Sequence, residues 1–146
     1  FSQWYPATFS QDGKTFATAE HFMMYQKAIL FNHRDIAEQI LAATHPGEAK
    51  KLGRCVQGFE DNIWTQHRFD IVVETNRLKF SQNPEIKAFL LNTGQRVLVE
   101  ASPVDKIWGI GLAQDHEFAS VPQKWNGQNL LGYALMVARE QLFQGH

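Results

Sequence analysis

Apolar positions along this chain recur at helical spacing over most of its length and alternate like a strand in only a few short places. Thr18 is a good helix cap and precedes a helical run to about Phe31; Arg34 to Ala43 repeats the pattern, and His45-Pro46-Gly47-Glu48 starts a short third helix that ends near Gly53. Glu60 to Phe80 reads as a long helix with Ile63, Trp64, His67, Ile71, Glu74 and Leu78 near one face, followed by Pro84 to Leu91, stopped around Gly94. Gln128 to Phe143 closes the chain as an amphipathic helix whose inner stripe carries Leu131, Leu135, Ala138 and Leu142.

Strand signals are fewer. Tyr5 to Phe9 and Lys14 to Ala17 flank Ser10-Gln11-Asp12-Gly13, where Asp-Gly supplies the positive-φ positions of a hairpin turn. Arg96 to Ala101 alternates around Val97, Leu98 and Val99 and reads as a further strand. From Ser102 to Asn126 no period holds, and Gly, Pro, Asp and Trp are frequent. A stretch that long inside a compact domain is commonly a functional loop.

No repeat, linker or low-complexity tract interrupts these elements, so one α+β domain over residues 1–143 is expected, helix-dominated with a small antiparallel sheet. The ending Leu142-Phe143-Gln144-Gly145-His146 is reminiscent of a protease-site scar, and residues 144–146 are expected to be a tag remnant.

At 146 residues the chain needs no staple, since folding at this size buries roughly 68–70% of the unfolded surface. A composition of 44% hydrophobic and 20% charged residues with a formal charge of −1 argues against a broad nucleic-acid or membrane footprint. Any nucleotide contact is therefore expected in a local pocket. Cys55 is the sole cysteine, which excludes an internal disulfide and suits a reducing compartment. No apolar run approaches the ~20 residues of a membrane span. A cytoplasmic address and no membrane partner are expected.

Glu20 and Lys27 stand seven residues apart on the first helix, two turns at ~100° per residue, and so share a stripe with Met23 and Met24. Charges bracketing an apolar surface need a partner or a task. Other chemistries lack their residues: there is no Gly-x-Gly-x-x-Gly after a strand, no Walker loop, no His-Glu-x-x-His or paired Cys, no nucleophile elbow, and Asp115-His116-Glu117 reads as a solvated turn. No metal or other cofactor is expected. What remains is Glu20, Lys27 and Asp105 with Trp4, Trp108 and Trp125, and glycines at Gly109 and Gly111 that permit close backbone approach. Cleaving an N-glycosidic bond needs stabilisation of an oxocarbenium-like carbon, release of a nitrogen and activation of a water or nucleophile, work that two carboxylates can divide. An aromatic such as Trp108 can stack on a base, and backbone N–H groups around Gly109 and Gly111 can hold phosphate oxygens.

Four blocks in series, Phe1-Ser2-Gln3-Trp4-Tyr5-Pro6, Ala19-Glu20-His21-Phe22 through Gln26-Lys27, Asp105-Lys106-Ile107-Trp108-Gly109-Ile110-Gly111, and Gly127-Gln128-Asn129-Leu130-Leu131-Gly132-Tyr133-Ala134-Leu135-Met136, resemble the NADAR family of YbiA-like N-glycosidases. The resemblance spans nearly the whole chain. It implies a helix-dominated fold with a small sheet and hydrolysis of N-glycosidic bonds, in phosphoribosylated riboflavin-pathway intermediates or in ADP-ribose attached to guanine in DNA. By motif, Glu20 matches the family's catalytic glutamate, Asp105 and Trp108 its Asp-x-x-Trp-Gly block, Lys27 the lysine proposed to form a Schiff base with the opened ribose, and Asn129 and Gly132 its closing motif. The partners implied are a small nucleotide-like substrate and, locally, ADP-ribosylated DNA. The chain departs from many relatives at Gln3-Trp4, where Asn-Phe is usual, and by a longer insertion from Leu112 to Trp125, both places that can reshape a base pocket.

Simpler readings stand beside these. A helix-borne Glu and Lys are usually a solvated face, His21 is more simply a core or supporting residue, and Trp64 and the phenylalanines are core. Trp4 and Trp125 fit core or pocket equally, while Arg54 and Arg77 are candidates to bind phosphate but read more simply as helix-end and surface residues. The rival from another class is a binding module that holds ADP-ribose or NAD without turnover.

Overall fold

The computed structural model describes residue 3, residues 5–56 and residues 60–144. The chain opens on a hairpin of β1 (Phe9–Gln11) and β2 (Lys14–Phe16), turned by Asp12 and Gly13 at φ of 53° and 78°. Its first strand starts at Phe9 instead of spanning Tyr5 to Phe9, because the Thr8 carbonyl accepts from Asn83 Nδ2 (3.0 Å), and Ser10 is gripped through its N–H and C=O by the Gln82 amide (2.7 and 2.8 Å). Register pairs Phe9 with Phe16. Both rings turn onto the first helix, where Phe16 meets Phe22 edge-on at 4.9 Å.

That helix, α1 (Ala19–Leu30), is capped by Thr18, whose hydroxyl oxygen accepts the His21 N–H. The His21 ring closes the same corner: Nε2 donates to the Ala43 carbonyl at 3.0 Å, which leaves Nδ1 to accept from the Thr18 hydroxyl at 2.8 Å. The chain continues through α2 (Arg34–Ala42), α3 (Pro46–Gly53), α4 (Asp61–Ser81), α5 (Pro84–Leu91) and α6 (Leu130–Phe143). Helix α1 packs on α2, α3 and α4, and α4 packs in turn on α6. Leu131, Leu135, Ala138 and Leu142 are all buried, as their spacing predicts. The result is a helix-dominated α+β fold.

The inward stripe of α4 differs from the predicted one. It runs through Trp64, Val72, Thr75, Asn76 and Lys79, while His67 is exposed and Glu74 is half-buried in an ion pair with Arg77. Polar residues occupy interior positions because the helix satisfies them: Thr75 Oγ1 donates to the Ile71 carbonyl at 2.6 Å, and Asn76 Nδ2 to that of Val72 at 2.8 Å. Lys79, fully buried, sets its ammonium 5.8 Å from the centre of the Tyr5 ring and 5.3 Å from that of Phe80.

Residues 96–101 form no strand, and β1 and β2 are the strands of the described residues. The segment is held by side chains in place of a ladder: Asn129 accepts from the Glu100 N–H at 2.9 Å and donates to the Leu98 carbonyl at 3.0 Å, and Arg139 donates to the Arg96 carbonyl at 2.8 Å. Residues 102–126 are irregular apart from a short 3₁₀ turn at Pro122–Lys124.

Candidate active site

Glu20 and Lys27 lie about 10 Å apart along α1, and both open into a cavity of about 360 Å³ whose floor includes Met23, Met24 and Leu131. The predicted charged stripe is thus the wall of a pocket. Helix α3 comes close at Gly53, where any Cβ would collide with the Met24 side chain. That approach brings Lys50 and Arg54, four residues apart on one helical face, to the cavity. The irregular segment after residue 99 supplies Glu100, Asp105 and Trp108.

Asp105 fastens its own turn: its Oδ1 accepts the N–H groups of Ile107 at 3.0 Å and Trp108 at 2.8 Å, which sets the indole into the cavity wall. Arg68 lies against that indole, its guanidinium 5.9 Å from the ring centre. Gln3 completes the lining, and its carbonyl accepts the Glu20 N–H at 3.0 Å, so one of the two departures from the family pattern falls on the pocket itself.

Other expected site residues lie elsewhere. Gly109 and Gly111 do not line the cavity; they are glycines because a Cβ at Gly109 would stand 2.8 Å from the Asp105 and Glu100 carbonyl oxygens, and Gly111 has φ of 73° and Asn126 packed on it. Asn129 is fully buried behind the wall, where it bridges Leu98 and Glu100. Trp125 borders a separate groove with Val97, Val99 and His116, its indole N–H donating to the Ala119 carbonyl at 2.9 Å. Trp4 lies outside the described residues. Arg77 is engaged with Glu74.

Lys50 and Glu100 escape a reading of the sequence, while Arg54 is weighed there as a phosphate ligand and set down as a helix-end residue. Lys50 looks like a solvated charge of a short helix, and Glu100 lies within a run that alternates like a strand. The signal that finds them is the pairing of Gly53 with Met24 and of Asn129 with Glu100, both contacts between residues distant in sequence.

Electrostatically the cavity is divided. Burial pushes the Glu20 carboxyl above its ordinary range, against the pull of Lys50, then Lys27 and Arg54, with Asp105 adding to the rise. Burial lowers the Lys27 ammonium from its ordinary value, which Glu20 opposes and Arg54 assists. Glu100 is pushed up by burial and then by the Asp105 charge, and no lysine or arginine opposes that rise. Cations therefore cluster around Glu20 on the α1 and α3 side, and acids around Trp108 on the other segment. Neither Lys50 nor Arg54 has an acidic ion-pair partner among the described residues.

A family model described as the NADAR domain matches residues 1–143. The chain belongs to the NADAR family. Among relatives in that family, "N-glycosidase R617" of Acanthamoeba polyphaga mimivirus is 47% identical over 97% of this chain and 86% of its own length. "Riboflavin biosynthesis protein PYRR, chloroplastic" of Zea mays is 33% identical over 88% of this chain, which spans only 20% of that protein. The NADAR fold is shared with the NMR structure of the E. coli protein YbiA, at a TM-score of 0.79 and 31% identity, covering 99% of this chain and 77% of that one. No helix of the described residues is long and apolar enough to cross a membrane.

Proposed function

We propose that this chain is an N-glycosidase that hydrolyses the bond between ribose C1′ and a nitrogen of an aromatic base, in a substrate carrying phosphate on the ribose C5′. What carries the reading is one cavity lined at once by an acid and an amine on α1, two cations on α3 and its C-cap, and two acids with an indole on the irregular segment. Names of the relatives support the reaction class, and the maize protein's name supports a substrate from riboflavin biosynthesis. ADP-ribosyl-guanine in DNA presents the same bond and the same C5′ phosphate.

In this mechanism Lys50 and Arg54 hold the phosphate, Trp108 stacks the base, Glu20 handles the lysine's proton, and Asp105 holds the ribose hydroxyls. Lys27 is the nucleophile. Its amine adds to C1′ as the bond to the base breaks, with those electrons leaving on the base nitrogen. The bond from C1′ to the ring oxygen then opens, the oxygen gains a proton, and an imine joins Lys27 to the open sugar. Glu20 removes the proton the amine must shed, and water hydrolyses the imine to release the sugar and restore the lysine. Burial favours a neutral Lys27 and a protonated Glu20, which is the pair left after that transfer.

The test is incubation of the protein with a phosphoribosylaminopyrimidine, its dephosphorylated counterpart and ADP-ribosyl-guanine DNA, followed by mass spectrometry of released sugars. Release from at least one phosphorylated substrate, slower without the phosphate, is expected. Tight binding with no release from any of them makes the protein a reader of ribosylated ligands and overturns the proposal.

A further inference from the structure

A leaving nitrogen needs a proton, and the residues given roles so far stand on the sugar side of the cavity or are already engaged. Glu20 sits among Lys50, Lys27 and Arg54, which are the partners of phosphate and ribose. Asp105 spends Oδ1 on two backbone N–H groups. Glu100 lines the same cavity on the segment that carries Trp108, and its backbone is fastened on both sides: its N–H by Asn129 at 2.9 Å, its carbonyl by the N–H groups of Ile110 at 2.9 Å and Ser102 at 3.0 Å. With its backbone held, Glu100 lines the cavity that Trp108 also lines.

We propose that Glu100 is the acid that protonates the leaving nitrogen. The inference rests on the N-glycosidase reading above. As C1′–N breaks, its electron pair withdraws onto nitrogen and takes the Glu100 carboxyl proton; the base departs neutral and Glu100 remains as carboxylate. The water that hydrolyses the sugar adduct then returns a proton, so none is consumed over the cycle. The charges facing Glu100 across the cavity are Glu20, Lys27, Lys50 and Arg54, and Asp105 is the acid beside it. Asp105 gives the direction of the cycle, because two adjacent carboxylates repel and favour reprotonation. Burial and that neighbour both raise the Glu100 carboxyl from its ordinary range, which makes it easier to protonate than an exposed glutamate.

Two leaving groups separate this role from a structural one. An exocyclic aminopyrimidine must be protonated to leave, whereas a ribosyl-pyridinium such as a nicotinamide ribotide departs as a neutral ring with no proton. In Glu100→Gln, kcat on the phosphoribosylaminopyrimidine should fall roughly 10²–10⁴-fold, the span of general-acid catalysis, while the pyridinium substrate changes less than about tenfold. The alkaline fall in kcat/KM of the wild type should also vanish in Glu100→Gln and persist, displaced, in Glu100→Asp, which keeps an acid on a shorter arm. If the wild type cleaves only the aminopyrimidine, that alkaline limb decides. An aminopyrimidine rate in Glu100→Gln within threefold of wild type, or an unchanged pH profile, overturns the assignment and leaves the N-glycosidase reading intact. Failure of the wild type to cleave either of these substrates overturns the assignment, and failure on ADP-ribosyl-guanine DNA as well overturns the N-glycosidase reading with it.

Discussion

Asn129 holds Glu100 by its backbone and does so from a left-handed conformation, at φ of 52°, with its amide fully buried between Glu100 and Leu98. The wall of the cavity is thereby fastened to the start of α6 and not to a sheet. Removing that amide in Asn129→Ala leaves a part-buried N–H and a buried carbonyl unpaired, at about 1–3 kcal/mol for the buried group and less for the other, and puts a residue without an Asn's tolerance into the left-handed region. Chemical denaturation should show a loss of about 2–5 kcal/mol, with catalytic loss beyond what unfolding explains.

Gly132 makes room for the same clasp. A Cβ there would collide with the Leu98 carbonyl oxygen and the Asn129 amide. Helix propensity alone would make Gly132→Ala stabilising by about 1 kcal/mol. The collision should reverse that sign, giving roughly 1–3 kcal/mol of destabilisation in denaturant melts. A stabilised variant would show that the wall yields easily.

Trp108 is presented by the Asp105 turn. Replacing it with alanine removes a stacking face worth about 1–3 kcal/mol per base, so KM or Kd for the phosphoribosyl substrate should rise by about 5- to 150-fold. Unchanged binding with a lower melting temperature would mark the indole as core.

Much of this was legible in the sequence wherever one residue enforces a local outcome. Asp12-Gly13 turns the hairpin, Thr18 caps α1, Pro46 and Pro84 open α3 and α5, and Gly94 follows α5 at φ of 61°. The charged stripe of α1 was legible too, since a two-turn spacing places Glu20 and Lys27 on one face whatever packs there. Residues placed by distant partners were not. Arg96 to Ala101 alternates like a strand, yet Asn129 takes the Leu98 carbonyl and Arg139 that of Arg96. Thr75, Asn76 and Lys79 are polar and buried, so the inner face of α4 was displaced by about one residue. Lys50 and Arg54 enter the site through the contact of α3 with Met24, which no local pattern encodes.

Stability should follow pH through the buried site. Glu20 has a raised folded pKa, so its contribution is fully present below the ordinary carboxylate value and lost as pH rises through the folded value. Lys27 has a lowered folded pKa, so its contribution is present above the ordinary lysine value and lost as pH falls through the folded value. Near neutrality both are unfavourable. Glu20→Gln should therefore melt higher than the wild type at pH 7.5, with the gap closing toward pH 4. A variant less stable at pH 7.5 would show that Lys27, Lys50 and Arg54 depend on the Glu20 charge more than burial opposes it.

Covalent participation of Lys27 has its own signature. Cyanoborohydride added during turnover should leave a phosphoribosyl-sized adduct on Lys27, and Lys27→Arg, which keeps charge but cannot form an imine, should bind ligand and barely turn over. Most activity retained in Lys27→Arg, with no adduct in the wild type, would reduce Lys27 to an electrostatic role and leave Glu20 and Asp105 activating water.

The most direct measurement compares wild type and Glu20→Gln for release of ribose 5-phosphate from a phosphoribosylaminopyrimidine. The account predicts turnover by the wild type and a rate roughly 10²–10⁴-fold lower in Glu20→Gln, an isosteric change that should leave the protein folded. No release by the wild type from this substrate or from ADP-ribosyl-guanine DNA, or equal rates in the two proteins, would overturn it.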